Sequence, residues 1–149
     1  MVAKSYTQLV AQMDKAITIA VKNASDRLLV VLQTFIQEDY YDLFEPNSYD
    51  RTYAFMRSAV AEMVGKASAT IGISDEYLSY EYKANYKLQD SSNGHWTGED
   101  QSYMADAGFH GSAYIYRDGH FWQDFEEYCD KHALEILRDE LRKQHINIK

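Results

Sequence analysis

The chain has 149 residues, 46% hydrophobic and 26% charged, with one cysteine and a formal net charge of −8. Such a length fits one globular domain and such a composition excludes a disordered tail. A chain this acidic is a poor match for a nucleic-acid backbone, whose phosphates call for clustered Lys and Arg.

With a single cysteine, Cys129, no internal disulfide forms, and the opening residues lack a signal-peptide layout. Thr18, Lys22 and Asn23 interrupt the longest apolar stretch, well short of the ~20 residues of a membrane span. The expectation is a single soluble α+β domain made in the cytoplasm, with no membrane partner. Tyrosine is the compositional outlier, with 13 residues against 6 Phe and 2 Trp. Its apolar body and polar tip suit partner surfaces as well as core rims.

In chain order, Ser5-Tyr6-Thr7-Gln8 has the form of a capping box. Val10, Met13, Ile17, Ala20, Ala24, Leu28, Val31 and Phe35 then recur at spacings of three or four. The pattern predicts a helix over residues 5–38, with a weak point at Asn23-Ala24-Ser25-Asp26. That helix would run ~50 Å at 1.5 Å per residue, longer than a compact domain of this size needs. Either it breaks in two, or part of it packs on a neighbouring subunit.

Residues 39–52 read as a connection carrying Tyr40, Tyr41, Tyr49 and the only proline, Pro46. Residues 53–118 form the sheet region. Tyr53, Met56, Val60 and Met63 suit a helix, whereas Thr70, Ile71, Gly72 and Ile73 suit a strand near Ala67–Ser74, with the break at Gly65-Lys66. Tyr80, Tyr82 and Tyr86 share one parity, as on a strand with a tyrosine face. Residues 89–102 are polar and turn-rich, an expected exposed loop around His95-Trp96. Asp118-Gly119 marks a turn. The last helix, 120–145, carries the stripe Trp122, Phe125, Cys129, Ala133, Ile136, Leu137 and Leu141, with acids early and bases late to match the helix dipole. The predicted fold is therefore α+β: a long N-terminal helix, a small mainly antiparallel sheet and a C-terminal amphipathic helix.

Chemical signatures are sparse. Cys129 and His132 lie one helical turn apart, but Cys129 sits on the apolar stripe and has no second cysteine to join it. There is no Gly-x-Ser-x-Gly elbow, and Gly65-Lys66-Ala67-Ser68 lacks the upstream glycine of a phosphate loop. The expectation is no catalytic residue, no metal site and no cofactor.

Residues 37–52, Gln-Glu-Asp-Tyr-Tyr-Asp-Leu-Phe-Glu-Pro-Asn-Ser-Tyr-Asp-Arg-Thr, resemble a signature of small tailed-bacteriophage virion proteins, the head–tail joining or tail-completion group. Gly108-Phe109-His110-Gly111 and Phe121-Trp122 before the last helix are also similar. Thr52-Tyr53 and His120-Phe121 stand where many relatives have Thr-Gly and Pro-Phe. The resemblance implies a virion protein at the neck of a long-tailed phage. Its implied partners are further copies in a homo-oligomeric ring of six or twelve, adjoining neck and tail proteins, and DNA passing through the channel without sequence-specific binding. The subunit contacts are expected on the first helix and on Tyr40, Tyr41, Phe44, Pro46, Tyr49 and Arg51. The alternatives are a binding module using its tyrosines and His95-Trp96 for a host or carbohydrate ligand, and a small metal-dependent enzyme using the scattered histidines.

Overall fold

The computed structural model describes residues 5–43, 45, 53–74, 80–81, 95–96 and 119–146. The chain enters at Ser5, whose hydroxyl accepts a hydrogen bond from the Gln8 backbone N–H at 3.2 Å and caps helix α1, Tyr6–Ile36. Its 31 residues contain neither Gly nor Pro and span ~46 Å.

The weak point expected at Asn23–Asp26 is absent, and α1 is continuous. Each polar group there finds a partner that does not compete with the helix. The Ser25 hydroxyl donates to the Lys22 carbonyl at 2.8 Å, Lys22 pairs with Asp26 at 2.6 Å, and the Asn23 amide reaches Glu140 at 3.4 Å. Ala24 and Ser25 are buried, so small side chains mark a close helix contact rather than a break.

A π-helical turn, Gln37–Tyr41, follows without interruption, closed by the Asp42 N–H to the Gln37 carbonyl at 2.9 Å. The wider turn has a structural consequence. The buried stripe Leu32, Ile36 continues at Tyr41, five residues on, where regular α spacing would call for residue 39 or 40.

Beyond Tyr53, a short helix α2, Ala54–Ser58, leads directly into strand β1, Ala59–Gly65. The ambiguous stretch is thus helix up to Ser58 and strand after it. Strand β2, Ser68–Ile73, pairs antiparallel with β1, Ala59 facing Ile73 and Ala61 facing Ile71, with a register shift between Met63 and Gly65. Ile71 and Ile73 pack on the core, as their alternation predicts. A second antiparallel pair, β3 (Tyr80–Glu81) and β4 (His95–Trp96), sets Tyr80 opposite Trp96. His95-Trp96, expected within a loop, is strand. The remainder of that loop and the other tyrosines of the expected strand lie outside the described residues.

Helix α3, Phe121–Lys143, runs antiparallel to α1. Phe35 meets Tyr128 edge-on at 6.1 Å between ring centroids, and Arg27 meets Glu140 at 3.0 Å. His145 has φ 61° just past its end, where the Ile146 N–H bonds the Leu141 carbonyl at 2.9 Å. This left-handed closure usually falls to glycine. The core lies at the far end of the pair: Leu32, Ile36, Tyr41, Phe55, Ala59, Phe121 and Phe125 are all buried. The fold is α+β, as expected.

Candidate functional site

Of the six residues expected at a subunit contact, Phe44, Pro46, Tyr49 and Arg51 lie outside the described residues. Tyr40 and Tyr41 belong to an aromatic cluster within the chain. Tyr40 meets Phe55 at 5.2 Å and Tyr41 at 5.0 Å, Tyr41 meets Tyr53 at 4.8 Å, and Phe55 meets Phe121 at 5.5 Å. Three of these four contacts are edge-to-face, the arrangement that ring quadrupoles favour. Tyr53 holds its place with φ 54°, a left-handed conformation that a bulky residue adopts only under support from its surroundings.

The other end of the molecule is built differently. Helix α3 has 23 residues, ~34 Å, and ends near the level of Asn23. The β1–β2 hairpin reaches farther along α1, its turn tied by Lys66 to Asp14 at 3.4 Å. Past Asp14 every residue from Ser5 to Met13 is exposed. These two turns, ~12 Å of helix, carry no charge and present Tyr6 (81% exposed), Leu9 (45%), Val10 (38%) and Met13 (46%) at helical spacing. Val64 and Met63, also exposed, lie on the hairpin held at Asp14. Sequence periodicity already flagged Val10 and Met13 within the apolar run of the helix, and the helix's excess length was the signal that part of that run lies beyond the compact fold.

Charge is divided between the two ends. The half with the aromatic core, residues 28–45, 53–59, 71–74 and 119–130, carries eight carboxylates against one guanidinium, Arg57. The half with the overhang, residues 5–27, 60–70 and 131–146, carries eight Lys and Arg against six carboxylates. Among the described residues the acidic balance is therefore concentrated at one end, a separation hidden in the linear sequence because one end draws on four segments and the other on three.

Two carboxylates depart from ordinary behaviour. Asp39, in the π turn, has its pKa raised from 3.8 to about 6, chiefly by burial and then by the charge of Asp124 and hydrogen bonding to it; Glu38 adds to this and His120 opposes it. Its Oδ2 is buried without a hydrogen-bond partner. Gly119 closes over this site, where a Cβ would stand 2.5 Å from the Asp39 carbonyl oxygen. Nothing in the sequence signalled this meeting of segments. Glu140, on α3, is the buried acid of the helix pair. Lys143 (2.7 Å), Arg27 (3.0 Å) and Asn23 (3.4 Å) all donate to it. Its carboxyl is held below the usual range, first by the Lys143 hydrogen bond and then by Arg27 and Asn23, against the cost of burial.

Cys129 is partly buried on α3, and burial, followed by Asp130 and Glu126, pushes its thiol up. That is the environment of a packing cysteine, not of a nucleophilic thiolate. His132 lies against Tyr128, ring centroids 4.5 Å apart.

The fold and these surfaces define a small α+β protein built on an antiparallel helix pair with chemically distinct ends. The model of the YomN family matches residues 5–143, and the chain belongs to that family, which is phage-derived. Membership identifies a phage-associated protein, the broader part of what the sequence resemblance implied. No curated protein and no solved structure matches the chain. Among the described residues no helix is long and apolar enough to cross a membrane.

Proposed function

We propose that this chain is a structural virion protein of a long-tailed phage, joining or completing the tail at the neck by assembling into a ring. The exposed apolar overhang of α1 carries this reading. Two helical turns standing beyond the other described elements gain little from propensity alone, because short helices are marginal in water without packing. A contiguous apolar stripe on them is what a subunit contact would cover. On this reading the chain has no catalytic role, resides in the virion after synthesis in the host cytoplasm, and meets neighbouring neck and tail proteins. A net charge of −8 suits a channel wall that DNA crosses without adhering.

Protein identification on purified phage particles, with electron microscopy of particles made without the chain, tests the reading. The expected result is the chain present in particles and, without it, heads and tails that fail to join. Particles lacking the chain, or normal particles formed in its absence, would overturn it.

A further inference from the structure

We propose that Asp39 of the π turn and Asp124 of α3 hold one proton between them, and that this proton latches the entry of α3 onto the π turn. Regular α spacing would carry the buried stripe of Leu32 and Ile36 on to residue 39 or 40. The π turn gives that place to Tyr41 and leaves Asp39 at the rim of the core, against Asp124 in the first turn of α3. Asp39 hydrogen-bonds to Asp124, while its Oδ2 is buried and no donor among the described residues reaches it. Ionised carboxylates only accept, so a bond between two of them requires a proton on one. Burial works against charge on Asp39, and the helix N-terminus favours it on Asp124. The O–H therefore belongs to Asp39 and the accepting oxygen to Asp124.

The pair sits where the two segments touch. A Cβ on Gly119 would stand 2.5 Å from the Asp39 carbonyl oxygen and 3.7 Å from Leu43 Cδ1, so the chain entering α3 lies directly on the π turn. Two residues on, Phe121 joins the core beside Phe55, as Tyr41 does two residues after Asp39. His120, the N-cap of α3, makes no side-chain capping bond, so the shared proton adds a tie that the cap does not supply. When the proton leaves to water, two carboxylates face each other at hydrogen-bond range and repel. Phe121 and Phe125 stay buried, so the release is local: residues 37–43 and 119–124 loosen while the helix pair holds.

The surrounding groups set the direction. Burial is the largest influence on Asp39; Asp124 of α3 and then Glu38 of the π turn add to it, and His120 opposes them. Together they raise its pKa from 3.8 to about 6. Because the folded value is the raised one, the latch is closed below it and opens as pH rises through it. This device is independent of the ring reading.

Carboxyl carbon NMR on the full chain between about pH 3 and about pH 8, together with hydrogen exchange of the backbone amides, reads both parts. In the wild type Asp39 is expected to titrate near pH 6, with Asp124 registering the same step. In Asp124→Asn the Asp39 midpoint is expected to fall toward the ordinary carboxylate range, whereas Glu38→Gln, a change of exposed charge, leaves the common step in place. The amides of Asp42 and Asp124, bonded to the Gln37 and His120 carbonyls at 2.9 Å each, report the latch itself. Their protection, corrected for intrinsic exchange, is expected to drop about fivefold between about pH 5 and about pH 7.5 in the wild type. It should stay level in Asp39→Asn, whose amide donates to Asp124 without titrating. Constant protection at Leu32 and Ile36 checks that each variant keeps the fold. An Asp39 midpoint unmoved in Asp124→Asn would mean that burial alone retains the proton, and the sharing fails. Level protection at Asp42 and Asp124 across the range in the wild type would mean that nothing opens, and the latch fails.

Discussion

The two ends of this molecule solve opposite problems. At one end α1, the π turn, α2, β1 and α3 converge on Leu32, Ile36, Tyr41, Phe55 and Phe121, and the chain's own segments cover every large side chain of that group. At the other end α1 continues past Asp14 beyond the other described elements, with its apolar stripe exposed. Similar sequence periodicity runs through both. What differs is how many other segments arrive, so an apolar stripe on a helix predicts a contact but not whether that contact lies within the chain.

Substitution at the buried end should separate the two most strongly. Phe121→Ala removes a ring that is 1% exposed and is expected to lower stability by about 3–5 kcal/mol, measured by urea unfolding. Met13→Ala, at the overhang, is expected to shift the same measurement by less than about 0.5 kcal/mol. A comparable loss at Met13 would mean that the overhang is packed within the chain and would erase the contrast.

Gly119→Ala ranks next. Its Cβ would press on the Asp39 carbonyl, a backbone atom that cannot turn aside, so a loss of about 2 kcal/mol is expected. Near-native stability in this variant would show that the approach of the α3 entry to the π turn is slack.

Glu140→Gln tests the middle of the helix pair. The amide keeps the shape but gives up the charge that Lys143 and Arg27 address, and both cations are roughly half exposed. A loss of about 1–1.5 kcal/mol at pH 7 is therefore expected. The lowered Glu140 pKa makes the unfolded chain bind the proton more readily than the fold. The stabilisation is present above the unfolded carboxylate pKa and disappears as pH falls through the folded one, so variant and wild type should converge in acid.

Asp39 gives the smallest effect and the opposite sign. The folded state holds its proton to about pH 6 and the unfolded chain releases it near 3.8, so stability declines as pH rises between those values. Asp39→Asn should be more stable than wild type at pH 7–8 by about 1 kcal/mol, after allowance for solvent screening, and lose that advantage below pH 4. A variant less stable than wild type at pH 8 would mean that the carboxylate is compensated there.

Much of the framework was legible in the sequence. The Ser5 cap, the long uninterrupted run without Gly or Pro, and the charge order of the last helix are local signals, and local backbone preferences act on them directly. Ile71 and Ile73 likewise announced a strand with one covered face. The expected weak point at Asn23–Asp26 failed because Lys22, Ser25 and Asp26 find partners within α1 and Asn23 finds Glu140 on α3, the one contact here that no local signal announces. Tyr40 and Tyr41 stood out by composition, but their role in an internal aromatic cluster depends on Phe55 arriving from α2.

By itself, then, the sequence determined the two long helices, the Ser5 cap and the strand alternation, because those follow from interactions within a few residues. Only the tertiary structure decided, among the described residues, that α1 outruns the elements beside it, that Asp39 and Asp124 meet under Gly119, and that carboxylates gather at one end. Each of these depends on segments distant in sequence coming to one place, and neither helical periodicity nor total charge encodes that meeting.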